Sequence, residues 1–208
     1  MPRRLTNNEI EAVKNKLNEV AEELLKYSSI RKISVEDLTK KANIAKGTFY
    51  HFYETKEMLF YDVFRKKHDE IQEHFINDIN RMPSHFTPAI FTAAIMKLIH
   101  FMDDTFIFNF IQRGDLEFLM RSLPESAHLD HLNQDQLSMR RLSHLFPNLS
   151  ENDLDIFSAA IRLAMVSILF KKEIGKEYYE SALELTLIGI VSEMMEVNHN
   201  DKSPKDVI

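Results

Sequence analysis

Cysteine and tryptophan are both absent from the 208 residues, and glycine and proline are scarce, at four and six. Without cysteine there is no disulfide, no thiolate metal site and no cysteine nucleophile. There is also no glycine-rich phosphate loop, no nucleophile elbow and no convincing carboxylate or metal set, so an enzyme is not expected and no cofactor is implied. No uninterrupted apolar run approaches the roughly 18 residues that a spanning helix needs. The first residues, MPRRLTNNEI, are basic but lack a following apolar segment, so a signal peptide is not expected and the cytoplasm is the default compartment. What is there is abundant Leu, Ile, Glu, Lys and Phe, in a chain long enough to bury a substantial core. That composition suits an all-α protein.

The stretch from Ile33 to Leu59 is the most informative. Ser34 with Asp37 has the spacing of a capping box, which satisfies backbone donors at a helix start. Val35, Leu38 and Ala42 then share one helical face. Asn43 is a residue able to take the left-handed conformation that ends a helix. A second short helix is expected from Ala45 to about Tyr53, with Phe49, Phe52 and Tyr53 forming an inward seam at i+3 and i+4.

The opposite side of that second helix carries Lys46 with Tyr50 and Gly47 with His51 at i+4, flanked by Thr48. A cation, a hydroxyl, a phenol, an imidazole and a bare glycine make a face that can approach a phosphate backbone and donate hydrogen bonds to it or to base edges. Thr55 caps the next helix and places Lys56 at a positive helix end that suits a phosphate. The same residues read equally well, on spacing alone, as the solvated side of a small helical corner. Charge leans toward the first reading. Residues 1–56 carry 11 Lys and Arg against 8 Asp and Glu, and the remainder carries 15 against 24, within a net charge of −6. A mildly basic head on an acidic body fits a protein that presents one end to DNA, although a chance fluctuation gives the same numbers.

Residues Lys46-Gly47-Thr48-Phe49-Tyr50-His51-Phe52-Tyr53, followed by Thr55-Lys56-Glu57, resemble the recognition-helix signature of TetR-family transcriptional repressors. The likeness covers about the first 60 residues. Three positions depart from the usual pattern: Asn43 and Ser29 stand where the family often has Gly, and Ala45 stands where a capping Ser is common. The resemblance implies an N-terminal three-helix helix-turn-helix head over 1–56, continuing into a linking helix over 55–80. A larger ligand-binding and dimerisation body follows over 57–208, with about nine helices in all. It also implies a double-stranded DNA operator as partner, met by Ser34, Lys46, Gly47, Thr48, Tyr50, His51 and Lys56.

Elsewhere the chain punctuates itself. Thr6 with Glu9 opens a long first helix to about Tyr27, and Arg3 and Arg4 precede it as a basic arm. Thr87-Pro88 restarts a helix to about Met102, and Asp103-Asp104 offers a cap for the next one. From Glu125 to Leu145 the chain is polar and His-rich. His128, His131 and Asp135 have metal-compatible spacing but no apparent fourth ligand, so a solvated amphipathic helix is the better reading and no metal site is assigned. Ser150 with Asp153 opens a helix expected to reach about Lys172, Gly175 stops it, and a last helix covers about Lys176 to Val197.

Those last two helices carry more apolar positions than one small body readily covers. Phe157, Ile161, Met165, Ile168, Leu183, Leu187, Ile190 and Met194 are the expected faces of a four-helix bundle with a second copy; an ordinary intrachain core is the other reading. Resemblance to the family, whose final helices typically form the dimer interface, favours the homodimer. The same resemblance implies a small-molecule pocket. Phe101, Phe106, Phe110 and Phe118 would suit an apolar or amphipathic effector, and His100, Arg113, Arg121 and Arg162 a polar end of it. The function expected is a ligand-responsive DNA-binding regulator, a repressor by resemblance. A helical interaction module with a head that no longer binds DNA is the alternative.

Overall fold

The computed structural model describes residues 6–123 and 142–200. Arg3, Arg4, His128, His131 and Asp135 lie outside these residues. Among the described residues every regular element is helical.

Helix α1 (Asn7–Tyr27) starts on a complete capping box: the Thr6 side chain accepts from the Glu9 amide and the Glu9 carboxylate accepts from the Thr6 amide. α2 (Val35–Ala42) starts the same way on Ser34 and Asp37. It ends at Asn43, which takes the left-handed conformation at φ 53° and ψ 49°. α3 (Lys46–Phe52) is one of the shortest helices, and α4 (Lys56–Asn80) the longest. α5 (Pro88–Asp103), α6 (Ile107–Gln112) and α7 (Asp115–Ser122) follow.

The expected Asp103-Asp104 cap is not used. Thr105 does that work: its hydroxyl donates to the Met102 carbonyl at 2.7 Å and accepts from the Ile107 amide at 3.2 Å. A β-branched hydroxyl one residue nearer the helix simply reaches the donor first.

After a 3₁₀ turn at Ser143–Leu145, α8 runs over Glu151–Val166 from the Ser150–Asp153 capping box. The single helix expected as far as Lys172 is instead α-helical only to Val166. It tightens to 3₁₀ over Ser167–Phe170 and adds one α turn, α9 (Lys171–Ile174). Ser167 explains the change, because its hydroxyl donates back to the Ala164 carbonyl at 2.6 Å and meets the Tyr179 hydroxyl at 3.1 Å. Gly175, at φ 108°, then turns the chain into α10 (Tyr179–Asn200).

Two compact units result. The first joins the chain up to Glu70 with the segment beginning at Met102, and the second joins Ile71–Phe101 with the C-terminal segment beginning at Asp130. α4 therefore supplies its first turns to one unit and its last to the other.

In the first unit Leu17, Leu25, Leu38, Phe49 and Phe60 are fully buried. Phe110 stacks on Phe64 at 5.6 Å and meets Phe106 edge-on at 5.7 Å, so α6 packs with α4. A polar seam ties the same corner to the end of α1. Arg113 donates to the carbonyls of Leu25 and Lys26, Ser29 donates to the buried Asp115 at 2.5 Å, and Arg31 donates to the Gly114 carbonyl while lying over the Phe118 ring. In the second unit Phe86, Phe91 and Phe146 form an aromatic cluster, and Leu183, Leu187, Val191 and Met194 line the buried side of α10.

Candidate nucleic-acid interface

α3 divides into two faces. Phe49 is 0% exposed and Tyr53 5%, and their ring centroids lie 5.9 Å apart. Phe52, the third member of the inward seam, is half-buried. The Tyr53 phenol is pushed up to about 12 by burial first and by the neighbouring Asp62 carboxylate second, so it stays neutral. On the other side Lys46, Gly47, Tyr50 and His51 are exposed and Thr48 is half-exposed. Tyr50 is held edge-on against Phe49 at 5.4 Å, which fixes a ring that is still 50% exposed. No hydrogen bond or ion pair occupies Lys46 among the described residues.

Gly47 is the telling position. A methyl group there would meet nothing within 4 Å, so neither the fold nor a special backbone angle requires glycine. A helix-interior glycine costs about 0.5–1 kcal/mol relative to alanine. Its presence without an internal reason points outward, to something that must come close to the backbone. Gly47→Ala is accordingly expected to raise stability by about 0.5–1 kcal/mol in a denaturant titration. The same change is expected to weaken duplex binding, and a gain in both properties would remove this assignment.

α3 is flanked by a shallow hollow of about 500 Å³ lined by Ser34, Val35, Glu36, Lys46, Tyr50, Glu54, Thr55, Lys56 and Glu57. Of the seven residues expected to meet DNA, Ser34, Lys46, Tyr50 and Lys56 meet here. Gly47, Thr48 and His51 lie on the same helix outside the hollow. Ser34 is engaged internally, its hydroxyl donating to Asp37 at 2.6 Å and accepting from the Asp37 amide at 3.1 Å. That bonding holds the Asp37 carboxyl below its ordinary range. Ala45 gives α3 no side-chain cap, and Thr55 accepts from the Met58 amide at the start of α4. Lys56 turns inward, donating to the carbonyls of Ile30 and Ile33. Nothing in the sequence pattern signals that contact.

The residues expected around an effector separate into the two units. Phe106 and Phe110 are packed in the first, where Arg113 serves the α1 carbonyls, Phe118 lies under Arg31, and Arg121 pairs with Glu117. In the second unit His100 pairs with Glu180 at 2.9 Å, Phe101 stacks on His74 at 4.3 Å, and Arg162 is exposed on α8. Glu180, shared between Lys171 and His100, is held below the ordinary carboxylate range by those two partners. Among the described residues no cluster of three or more His, Asp or Glu is placed to hold a metal ion. None of their helices is long and apolar enough to cross a membrane.

The expected dimer residues divide differently. Ile161, Ile168, Leu183, Leu187 and Met194 are buried within the protomer, and Phe157, Met165 and Ile190 are half-buried. A second apolar stripe lies outside them, on Ile156, Leu163, Val166 and Phe170 of the α8 segment, with Leu185 on α10.

A short helix, a turn through a left-handed residue and a second helix with an outward polar face define a helix-turn-helix head on an all-α body. Residues 17–63 match the family described as bacterial regulatory proteins, tetR family, and the head of this chain belongs to it. Solved tetR-type regulators share the fold of nearly the whole chain. A tetR-family transcriptional regulator from Streptomyces coelicolor has a TM-score of 0.63 at 17% identity, over 91% of this chain and 83% of that one. FadR from Bacillus subtilis, in complex with stearoyl-CoA, gives 0.58 at 14% identity over 86% and 97%. RolR in complex with resorcinol gives 0.56 at 16% identity over 98% and 100%. At such identities the likeness is one of fold. No curated protein matches the chain.

Proposed function

We propose that this chain is a ligand-responsive, DNA-binding transcriptional repressor that acts as a homodimer on a pseudo-palindromic operator and has no catalytic activity. The observation that carries the proposal is the outward face of α3, where Lys46, Gly47 and Tyr50 stand exposed on a helix whose other side is locked by Phe49. Two such helices would enter successive major grooves with centres about 34–36 Å apart. The dimer would form through α8 and α10, whose outer apolar stripe offers a face for a second copy.

RolR holds resorcinol and FadR holds stearoyl-CoA in their solved complexes, one a small aromatic and the other an acyl chain on a polar carrier. For this chain we propose a small apolar or amphipathic effector. Its binding would favour a conformer whose reading helices no longer match the groove spacing, and by linkage DNA and effector then weaken each other equally.

Selection of duplexes from a random pool by the purified protein tests the core of the proposal. A recurring inverted repeat is expected, and a pool that enriches no sequence would favour an interaction module with a silent head. Against a selected duplex, Lys46→Ala is expected to lower affinity and to reduce the slope of log K against log salt by about 0.9, the loss of one phosphate contact. The dimer should remain intact.

A further inference from the structure

Lys56 opens α4 and borders the hollow beside α3, yet its ammonium is committed to the protein's own backbone. It donates to the Ile30 carbonyl at 2.8 Å and to the Ile33 carbonyl at 2.7 Å. Ile33 is the residue before the Ser34 cap of α2, and Lys56 is the residue after the Thr55 cap that ends the α3 connection. One side chain therefore fastens the entrance of the α2–turn–α3 unit to its exit. The Ile30 and Ile33 side chains are buried, so the two carbonyls belong to an anchored loop. At the other end of the same connection Arg113 holds the Leu25 and Lys26 carbonyls. Charge-assisted bonds at both ends leave this loop little freedom to swing.

The surroundings favour the inward pose. Glu36, Glu54 and Glu57 line the hollow together with Lys56. A phosphate brought to its floor would face three carboxylates at short range. The ammonium itself sits near the positive starts of α2 and α4, where only carbonyls and carboxylates make a cation welcome.

We propose that Lys56 is a positioning residue for duplex binding: through the Ile30 and Ile33 carbonyls it sets the attitude of the reading helix, and it does not itself neutralise a phosphate. The inference rests on the DNA-binding function proposed above. The test uses the full-length protein and a duplex selected by it, titrated at several salt concentrations, with Lys46→Ala beside it as the phosphate-contact control. Lys56→Met is expected to weaken binding about tenfold at every salt concentration, from two lost charge-assisted bonds, while the salt slope stays that of the wild type. Lys56→Gln, neutral but still a donor to a carbonyl, is expected to recover most of the affinity with the same slope.

A slope lower by about 0.9 in both variants would show a phosphate contact and overturn the inference. Wild-type affinity in a folded Lys56→Met would overturn it as well. Should Lys56→Met not be folded at the assay temperature, the slope of Lys56→Gln decides alone. A wild-type protein that selects no duplex, or a Lys46→Ala slope equal to wild type, instead overturns the functional reading beneath.

Discussion

Phe49→Ala is expected to cost about 3–5 kcal/mol and to abolish duplex binding at temperatures where the rest of the chain is still folded. Phe49 is fully buried and touches the rings of both Tyr50 and Tyr53. α3 has seven residues and no side-chain cap, so it has no helical stability of its own to fall back on. Its shape is imposed by the anchor beneath it, and truncating the anchor leaves a cavity in a part of the core that cannot collapse without moving α3. Set against a domain stability of about 5–15 kcal/mol, the loss is large. Tyr50→Ala, one residue on, removes an exposed ring and should change stability by no more than about 0.5 kcal/mol. Denaturant titrations of the two variants beside their duplex affinities separate the roles. A Phe49→Ala protein that keeps wild-type affinity would mean that α3 is not the reading element.

The contrast between these neighbours shows what local sequence encodes. The three capping boxes at Thr6, Ser34 and Ser150 were legible because each is closed within four residues. The left-handed turn at Asn43 and the Phe49 anchor were legible for the same reason. The all-α fold followed from helical spacing and the scarcity of breakers.

Contacts made across long stretches of chain were not legible. Arg113 reads as a polar end for an effector until it is seen on the carbonyls of α1, 88 and 87 residues away. Ser29, a departure from the family's usual glycine, finds its partner in the buried Asp115. Grouping α6 and α7 with the head follows from those tertiary bonds and has no counterpart in composition or periodicity. In α8 apolar residues occupy both sides of the helix, so spacing alone could not say whether Ile161 or Leu163 faces inward. Burial decides: Ile161 is 7% exposed and Leu163 77%.

That second side of α8 is where the other large effect is expected. Leu163→Arg should convert a homodimer into monomers and reduce operator affinity at least about a hundredfold, since an unpaired buried charge costs about 3–5 kcal/mol. Ile156, Leu163, Val166 and Phe170 follow one another at steps of seven, three and four residues, the rhythm of a seam between packed helices. On α10 the exposed Leu185 stands between Ala182 and Gly189, small residues that let another helix come close. Gly189, like Gly47, has open space where a methyl group would sit, so its reason also lies outside the protomer. In a two-fold interface each substitution is present twice, once from each copy. Because Leu163 is largely exposed on its own chain, the monomer itself should remain as stable as the wild-type protomer. Sedimentation of Leu163→Arg beside Lys46→Ala separates loss of the dimer from loss of the DNA face. A Leu163→Arg protein that still sediments as a dimer would place the interface on a different surface and leave this apolar stripe without its partner.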